Sequence, residues 1–257
     1  MGIFRGLKRR HRGAQLVRAF ERTNGPIQPD WGIFAHNIGL GDHIICNAIV
    51  RHLYPSFELL VLPVKVGNAS TVCWMFGDLP NIRTLTVEKG NDPGLVADAF
   101  ERAGANAIRV GGSSNPQWRN EMQMRFDAAF YEQAGVPFEQ RWTAFGAPRD
   151  CDAEADLFRA VAPIDPYIFV HDDASRGYAI DEARLPRNIA RVRPRPGLTD
   201  ILFHYRKVIE EAAEVHCISS SFAQYLECMP SGRPQYLHRY PRVDGTWSTW
   251  RNFQVLE

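Results

Sequence analysis

The chain has 257 residues, 45% hydrophobic and 23% charged, with a net charge of +1. That length suits one large domain or two of roughly 100–150 residues. The composition excludes wholesale disorder, and so small a net charge excludes a global field that would hold the chain on nucleic acid. Five cysteines (Cys46, Cys73, Cys151, Cys217 and Cys228) are scattered without a C-x-x-C pair, so neither a zinc site nor a disulfide framework is expected.

The start is basic, with Arg5, Lys8, Arg9, Arg10 and Arg12 inside the first twelve residues and no apolar stretch behind them, which does not make a secretory signal. Residues 1–30 read as a separate basic segment, either a solvated tail or a peripheral contact for anionic lipid. No apolar run is long enough to span a bilayer, and the expected location is cytoplasmic.

From Trp31 onward short apolar runs alternate with helical patterns. Trp31–His36 reads as a strand, Asn37–Asp42 as a Gly-rich turn, and His43–Leu53 as a helix whose Ile44, Ile49, Val50 and Leu53 mark its apolar side. Phe57–Lys65 is a strand, Asn68–Phe76 a helix, Ile82–Val87 a strand, Pro93–Ala103 a helix and Ala107–Val110 a strand. A longer helix over Arg119–Gln133 ends at Gly135-Val136-Pro137. Val136–Pro166 breaks the rhythm with four prolines and reads as the connection between two halves, with one helix at Ala153–Val161. The alternation restarts with strands at Tyr167–His171 and Asn188–Arg193 and a helix Asp200–Ala213 capped by Thr199. A strand at Glu214–Ile218, a helix at Ser221–Cys228 and a strand at Gln235–His238 complete it. This is the pattern of parallel α/β sheets covered on both faces. The expected architecture is two Rossmann-like halves, 31–150 and 151–257, facing across a cleft with ligands at the carboxyl ends of the strands.

Three segments carry candidate chemistry. In Asn37-Ile38-Gly39-Leu40-Gly41-Asp42-His43 the glycines let backbone approach a ligand closely; the plain alternative is a tight turn with Asp42 as a helix cap. Cys217-Ile218-Ser219-Ser220-Ser221-Phe222 sets hydroxyls and amides at a helix start, an anion cradle suited to a diphosphate, or else an ordinary serine cap. His171-Asp172-Asp173-Ala174-Ser175-Arg176-Gly177-Tyr178 offers a guanidinium that can pair with phosphate in forked geometry. Asp150-Cys151-Asp152 has the D-x-D spacing of metal-dependent transferases but follows Pro148-Arg149 instead of ending a strand, so no metal is expected.

These residues carry a resemblance. Asn37–Asp42 with its following helix resembles the opening of GT-B glycosyltransferases, especially the heptosyltransferase-like group. Glu214–Phe222 is similar to the donor-phosphate segment of GT-B enzymes, fucosyltransferase-like ones included, and the His171–Tyr178 loop to a donor-side loop. Two departures stand out: Asn47 replaces a usual proline, and the serine run replaces the Asp-x-Gly-x-x-His donor motif of heptosyltransferases. The resemblance implies a compact, metal-independent, inverting glycosyltransferase with a nucleotide-diphosphate sugar as co-substrate and no other cofactor. Asp42, with His43 second, is the expected base. Ser219, Ser220, Ser221, Phe222 and Arg176 are expected at the donor phosphates, Arg193 and Thr199 at the base or ribose, and Asn37, Gly39 and Gly41 on the acceptor-side loop. The expected partners are the nucleotide sugar and a glycan or lipid-linked acceptor, not nucleic acid. A sugar-nucleotide epimerase and a non-catalytic nucleotide-binding protein are the alternatives.

Overall fold

A strand that is apolar along its whole length must be covered on both faces, and helices between successive strands supply that cover. The computed structural model describes residues 2–88, 93–111, 125–161, 163–173, 176–241 and 248–257, with side chains from residue 10. It divides into two compact units, Met1–Gly146 and Ala147–Glu257.

The first unit opens with α1 (Gly2–Asn24). Its strands β1 (Trp31–Ala35), β2 (Leu59–Lys65), β3 (Ile82–Val87) and β4 (Asn106–Arg109) are all parallel, in the order β3-β2-β1-β4. Every residue of β1 is buried, and Ile33 lies in register with Val61 on one side and Ala107 on the other. Its further described α-helices are α2 (Leu40–Ile45), α3 (Asn47–Leu53), α4 (Ala69–Met75), α5 (Pro93–Arg102), α6 (Phe126–Ala134) and α7 (Gln140–Thr143). Gly135, at φ 67°, ends α6 in the left-handed conformation that favours glycine. The fully buried ion pair between Asp127 and Arg141 ties α6 to α7.

The second unit contains α8 (Cys151–Val161), β5 (Tyr167–His171), β6 (Ala190–Val192), α9 (Arg206–Glu210), β7 (Glu214–Ile218), α10 (Ser221–Cys228), β8 (Gln235–His238) and β9 (Gln254–Leu256). The five strands are parallel in the order β6-β5-β7-β8-β9. Counted within its own unit, the first order is 3-2-1-4, the start of the dinucleotide-binding arrangement, and the second is 2-1-3-4-5, the flavodoxin-like one. Each unit is a Rossmann-like half, as the strand–helix alternation predicts.

Several local expectations change. The first helix of the glycine motif begins at Leu40, not His43, and breaks at Cys46 into α2 and α3. The Tyr131 hydroxyl donates to the carbonyl of Ile45 at 2.8 Å, supplying a partner at the break. Residues 200–213 form a 3-10 turn, Leu202–Tyr205, and then the short α9, because Thr199 Oγ1 accepts the Ile201 N–H instead of capping a long helix. Strand β9 was not expected; three residues carry no readable periodicity. The start of the helix expected over Arg119–Gln133 lies outside the described residues.

The basic start is not a solvated tail over its whole length. It belongs to α1, which lays Gly13, Val17 and Phe20 on α5 and β1. A Cβ on Gly13 would stand 2.8 Å from Ala99 Cβ, so the two helices cross where no side chain separates them. Phe20 meets Trp31 and Phe100 edge-on, with ring centroids 6.2 and 5.3 Å away. Phe20→Ala should therefore destabilise the first unit by about 3–5 kcal/mol, whereas exposed Gln15→Ala should change stability by about 0.5 kcal/mol or less. Urea unfolding followed by tryptophan fluorescence checks both.

Candidate functional site

In an open parallel sheet, two neighbouring strands whose onward connections leave in opposite directions open a crevice at their carboxyl ends. The strand orders put this point between β1 and β4 in the first unit and between β5 and β7 in the second. The three sequence motifs follow β1, β5 and β7.

In the second unit β5 ends on His171, and β7 runs into Ser219, Ser220 and Ser221. Ser220 is the N-cap of α10; its Oγ accepts the Ala223 N–H at 3.4 Å and lies 2.9 Å from His171 Nδ1, joining the two sides of the crevice. The Ser220 oxygen can both donate and accept, so the tautomer of His171 sets which of the two atoms gives the proton in this bond. Burial holds the His171 pKa down to about 4, against the opposing pull of Asp173 and Asp172, so the ring is neutral at pH 7. Phe222 packs on that imidazole with centroids 4.5 Å apart. The first turn of α10 leaves N–H groups without intrahelical acceptors, and the helix dipole favours an anion there.

The loop after β5 is organised by its carboxylates. Asp172 accepts the Ile180 N–H at 2.7 Å and the Arg193 Nε–H at 2.8 Å, and Arg193 also bonds Glu182. Asp173 and Tyr178 exchange backbone hydrogen bonds of 3.1 Å, a turn that uses Gly177 at φ 77°. Arg176 is exposed and only 3.5 Å from Asp173 Oδ2, a loose pairing that an anion can replace. Ser219, Ser220, Ser221 and Phe222 thus gather beside the strand that carries the Arg176 loop. Arg193 and Thr199 have other partners: Arg193 its two carboxylates, Thr199 the Ile201 amide and, at 3.0 Å, His204 Nδ1. His171 opens the expected donor-side loop but was assigned no role of its own there. Its signal, an imidazole closing a buried strand, gains meaning only once β5 and β7 are known to be neighbours.

In the first unit Gly39 is the N-cap of α2, and its N–H donates to Asp42 Oδ2 at 3.1 Å. A Cβ on Gly39 would collide with that carboxylate oxygen. Gly41 and Asp42 therefore stand in the first helical turn, not in a loop, and Asp42 does the work of a cap. Asn37 lies beside Gly111, which follows β4: a Cβ there would sit 3.3 Å from Asn37 Nδ2, and Gly111 has a φ of 82°. His43, the second candidate base, is buried at 1% exposure. Its Nδ1 is 3.1 Å from His36 Nε2, and His36 Nδ1 bonds the Asn37 carbonyl. A carbonyl only accepts, so His36 carries its proton on Nδ1, and His43 Nδ1–H donates to His36. His43 Nε2 is left unprotonated, without a partner among the described residues. Burial lowers the pKa of His36 to about 4 and that of His43 well below the ordinary value.

Asn47, at the departure from the heptosyltransferase pattern, pairs with Gly146: its Nδ2 donates to the Gly146 carbonyl at 2.9 Å and its Oδ1 accepts the Gly146 N–H at 3.0 Å. Among the described residues no three His, Cys, Asp or Glu side chains gather as metal ligands.

The class defined by this topology is a protein of two Rossmann-like units, each with polar residues at its sheet's switch point. No family model matches the sequence, and no curated protein sequence matches it. Among solved structures, the chain is similar to the iron-containing dodecameric glycosyltransferase TibC of enterotoxigenic E. coli, at 11% identity and TM-score 0.48 over 87% of this chain and 61% of that one. It is also similar to the E. coli heptosyltransferase WaaC with ADP, at 12% identity and TM-score 0.41 over 88% and 90%. The wall teichoic acid polymerase TagF matches at 12% identity and TM-score 0.35 over 93% and 76%. The chain spans about three fifths of the length of TibC. At these identities no residue role passes from those proteins to this one, and the fold rests on the strand orders.

The neutral histidines set a dependence on pH. Unfolded, His36 and His171 bind a proton near pH 6.5; folded, each binds it only near pH 4. Between these values the unfolded chain holds more protons, so the stability present above pH 6.5 is lost as pH falls towards 4. Lowering pH from 7 to 5 should cost about 2 kcal/mol for each of the two. Urea midpoints measured across that range should fall, and less steeply in His171→Asn.

Proposed function

We propose that the chain transfers a sugar from a nucleotide-diphosphate sugar to an acceptor hydroxyl, the second unit taking the donor and the first supplying the base. The observation that supports this reading is the Ser220–His171 contact, which places two hydrogen-bonding side chains and the start of an eight-residue helix at the switch point of a 2-1-3-4-5 sheet. Sheets of this order bind phosphorylated ligands at that position.

In the proposed reaction Ser219, Ser220, Ser221 and the first turn of α10 hold the diphosphate. His171 adds its imidazole, Phe222 backs that ring, and Arg176 leaves Asp173 to meet the leaving-group charge. Arg193 serves by holding Asp172 and with it the loop. The bond between the anomeric carbon and the diphosphate oxygen breaks with its electron pair passing to the diphosphate. The acceptor oxygen bonds the same carbon, and its proton passes to the Asp42 carboxylate. One displacement inverts the sugar, and no metal takes part. A glycan or lipid-linked alcohol is the proposed acceptor. A second reading, nucleotide binding without turnover, draws on Asp42 accepting the Gly39 N–H, because a carboxylate can be kept for that task alone.

A thermal-shift screen against GDP, UDP, ADP, CMP and dTDP should find at least one that raises the melting temperature of the second unit. For that nucleotide, Ser220→Ala with Ser221→Ala should weaken binding, each lost bond to a charged group being worth roughly 1.5–3 kcal/mol. Unchanged calorimetric affinity in the folded double variant would remove the donor assignment. Asp42→Asn keeps an oxygen for the Gly39 N–H, so melting temperature and nucleotide affinity should stay at wild-type levels. Turnover should fall by about 10²–10⁴. A wild-type rate would make Asp42 a cap alone, and binding with no transfer by the wild type would favour the second reading.

A further inference from the structure

Arginine is distributed unevenly in this fold. In the body of the two units Arg51, Arg109, Arg149, Arg193 and Arg206 each bond a carboxylate at 3.1 Å or less. The sequence of α1 carries seven basic residues, Arg5, Lys8, Arg9, Arg10, Arg12, Arg18 and Arg22, against one acid, Glu21. That one carboxylate accepts the Ile27 N–H. Arg10, Arg12, Arg18 and Arg22 are exposed, and no described residue is their ion-pair partner. With α1 at +6 and the whole chain at +1, the other residues sum to −5.

The position of α1 turns this count into a surface. Gly13, Val17 and Phe20 anchor its second half, leaving the opposite side of those turns to solvent. Beside the anchor, α1 and α5 enclose a groove of about 240 Å³ lined by Ala14, Val17, Ala99 and Ala103, with Arg18 from one helix and Arg102 from the other. Arg102 is exposed and likewise has no described ion-pair partner. An apolar floor between two unpaired guanidiniums suits a phosphate attached to an apolar body, and the surrounding charge suits a field of such phosphates. A nucleic acid would present its phosphates without the apolar part.

We propose that α1 docks this protein on an anionic phospholipid bilayer, with a headgroup phosphate between Arg18 and Arg102 in the α1–α5 groove. The inference is independent of the transferase reading, since it uses neither switch point. Surface-bound basic residues each add to the partition into anionic membranes, and salt screens them.

The test is co-sedimentation of the full chain with vesicles of phosphatidylcholine alone or mixed with phosphatidylglycerol. The expected result is binding to the mixed vesicles only, weakening as salt is raised. Arg18→Glu with Arg102→Glu should lower that partition by roughly 30-fold or more. The control Arg83→Glu with Arg159→Glu changes net charge equally at exposed residues that do not line the groove, and should cost far less. Both pairs alter exposed side chains, and circular dichroism confirms that they fold. Equal binding to neutral vesicles, or equal losses in the two variants, would overturn the proposal. Full competition by soluble glycerol 3-phosphate would assign the groove to a free phosphate ester instead of a bilayer. Retention on an RNA column without vesicle binding would assign it to nucleic acid.

Discussion

Each unit depends on the handedness of crossovers in a parallel sheet. Because a strand–helix–strand connection turns right-handed, a chain that first builds outward on one side of β1 or β5 must send a later connection over the opposite face to extend the other side. The helices then part at the carboxyl end of the starting strand and leave a crevice there. This constraint brings Asn37 next to Gly111 and Ser220 next to His171, residues 74 and 49 positions apart in the chain. None of these residues is special by type. They become a site because the backbone has to leave an opening where they stand.

Imidazoles line the interior near these openings, and they work as neutral hydrogen-bond relays. Besides the His43–His36 pair, the second unit contains a longer series. The Asp181 N–H donates to the Tyr240 hydroxyl at 2.9 Å; that hydroxyl lies 3.1 Å from His238 Nδ1, His238 Nε2 lies 3.0 Å from His216 Nδ1, and His216 Nε2 lies 3.0 Å from Glu214. An amide at one end can only donate and a carboxylate at the other can only accept, so every proton in between points the same way, towards Glu214. Burial lowers the pKa of His238 to about 4 and that of His216 below its ordinary value, which keeps the series intact at neutral pH. The series grips the segment after β5 at Asp181, while Asp172, Arg193 and Glu182 grip it from within. A loop fixed at both ends and carrying exposed Arg176 between them combines a rigid frame with one adaptable cation.

Charge is partitioned in a related way. Carboxylates in the body of the fold are committed: Glu154 and Glu210 to Arg149, Asp127 to Arg141, Asp172 to Arg193. Arg10, Arg12, Arg18 and Arg22 of α1 have no ion-pair partner among the described residues. Paired charges inside a unit fix geometry, whereas unpaired ones on a helix surface act on what lies outside. The near-zero net charge of the whole chain conceals this division, because the two contributions cancel in the sum.

The sequence by itself determined the strands and helices with strong periodicity, and with them the class. Trp31–His36, Tyr167–His171 and Glu214–Ile218 are short, mainly apolar runs and Ile82–Val87 alternates apolar with polar residues, so these strands were legible to within one residue. So was the place of the glycine and serine motifs directly after strands. It could not give the start of α2, where a carboxylate three residues downstream of Gly39 moves the helix boundary back to Leu40, nor the division of residues 200–213, where the Thr199 hydroxyl competes for a backbone amide. Nor could it show that α1 is anchored, since Gly13, Val17 and Phe20 form a face only when α5 and Trp31 lie opposite. The role of His171 was hidden for the same reason: strand order is set by crossovers between distant segments, and which side chains share a switch point exists only once those strands have paired.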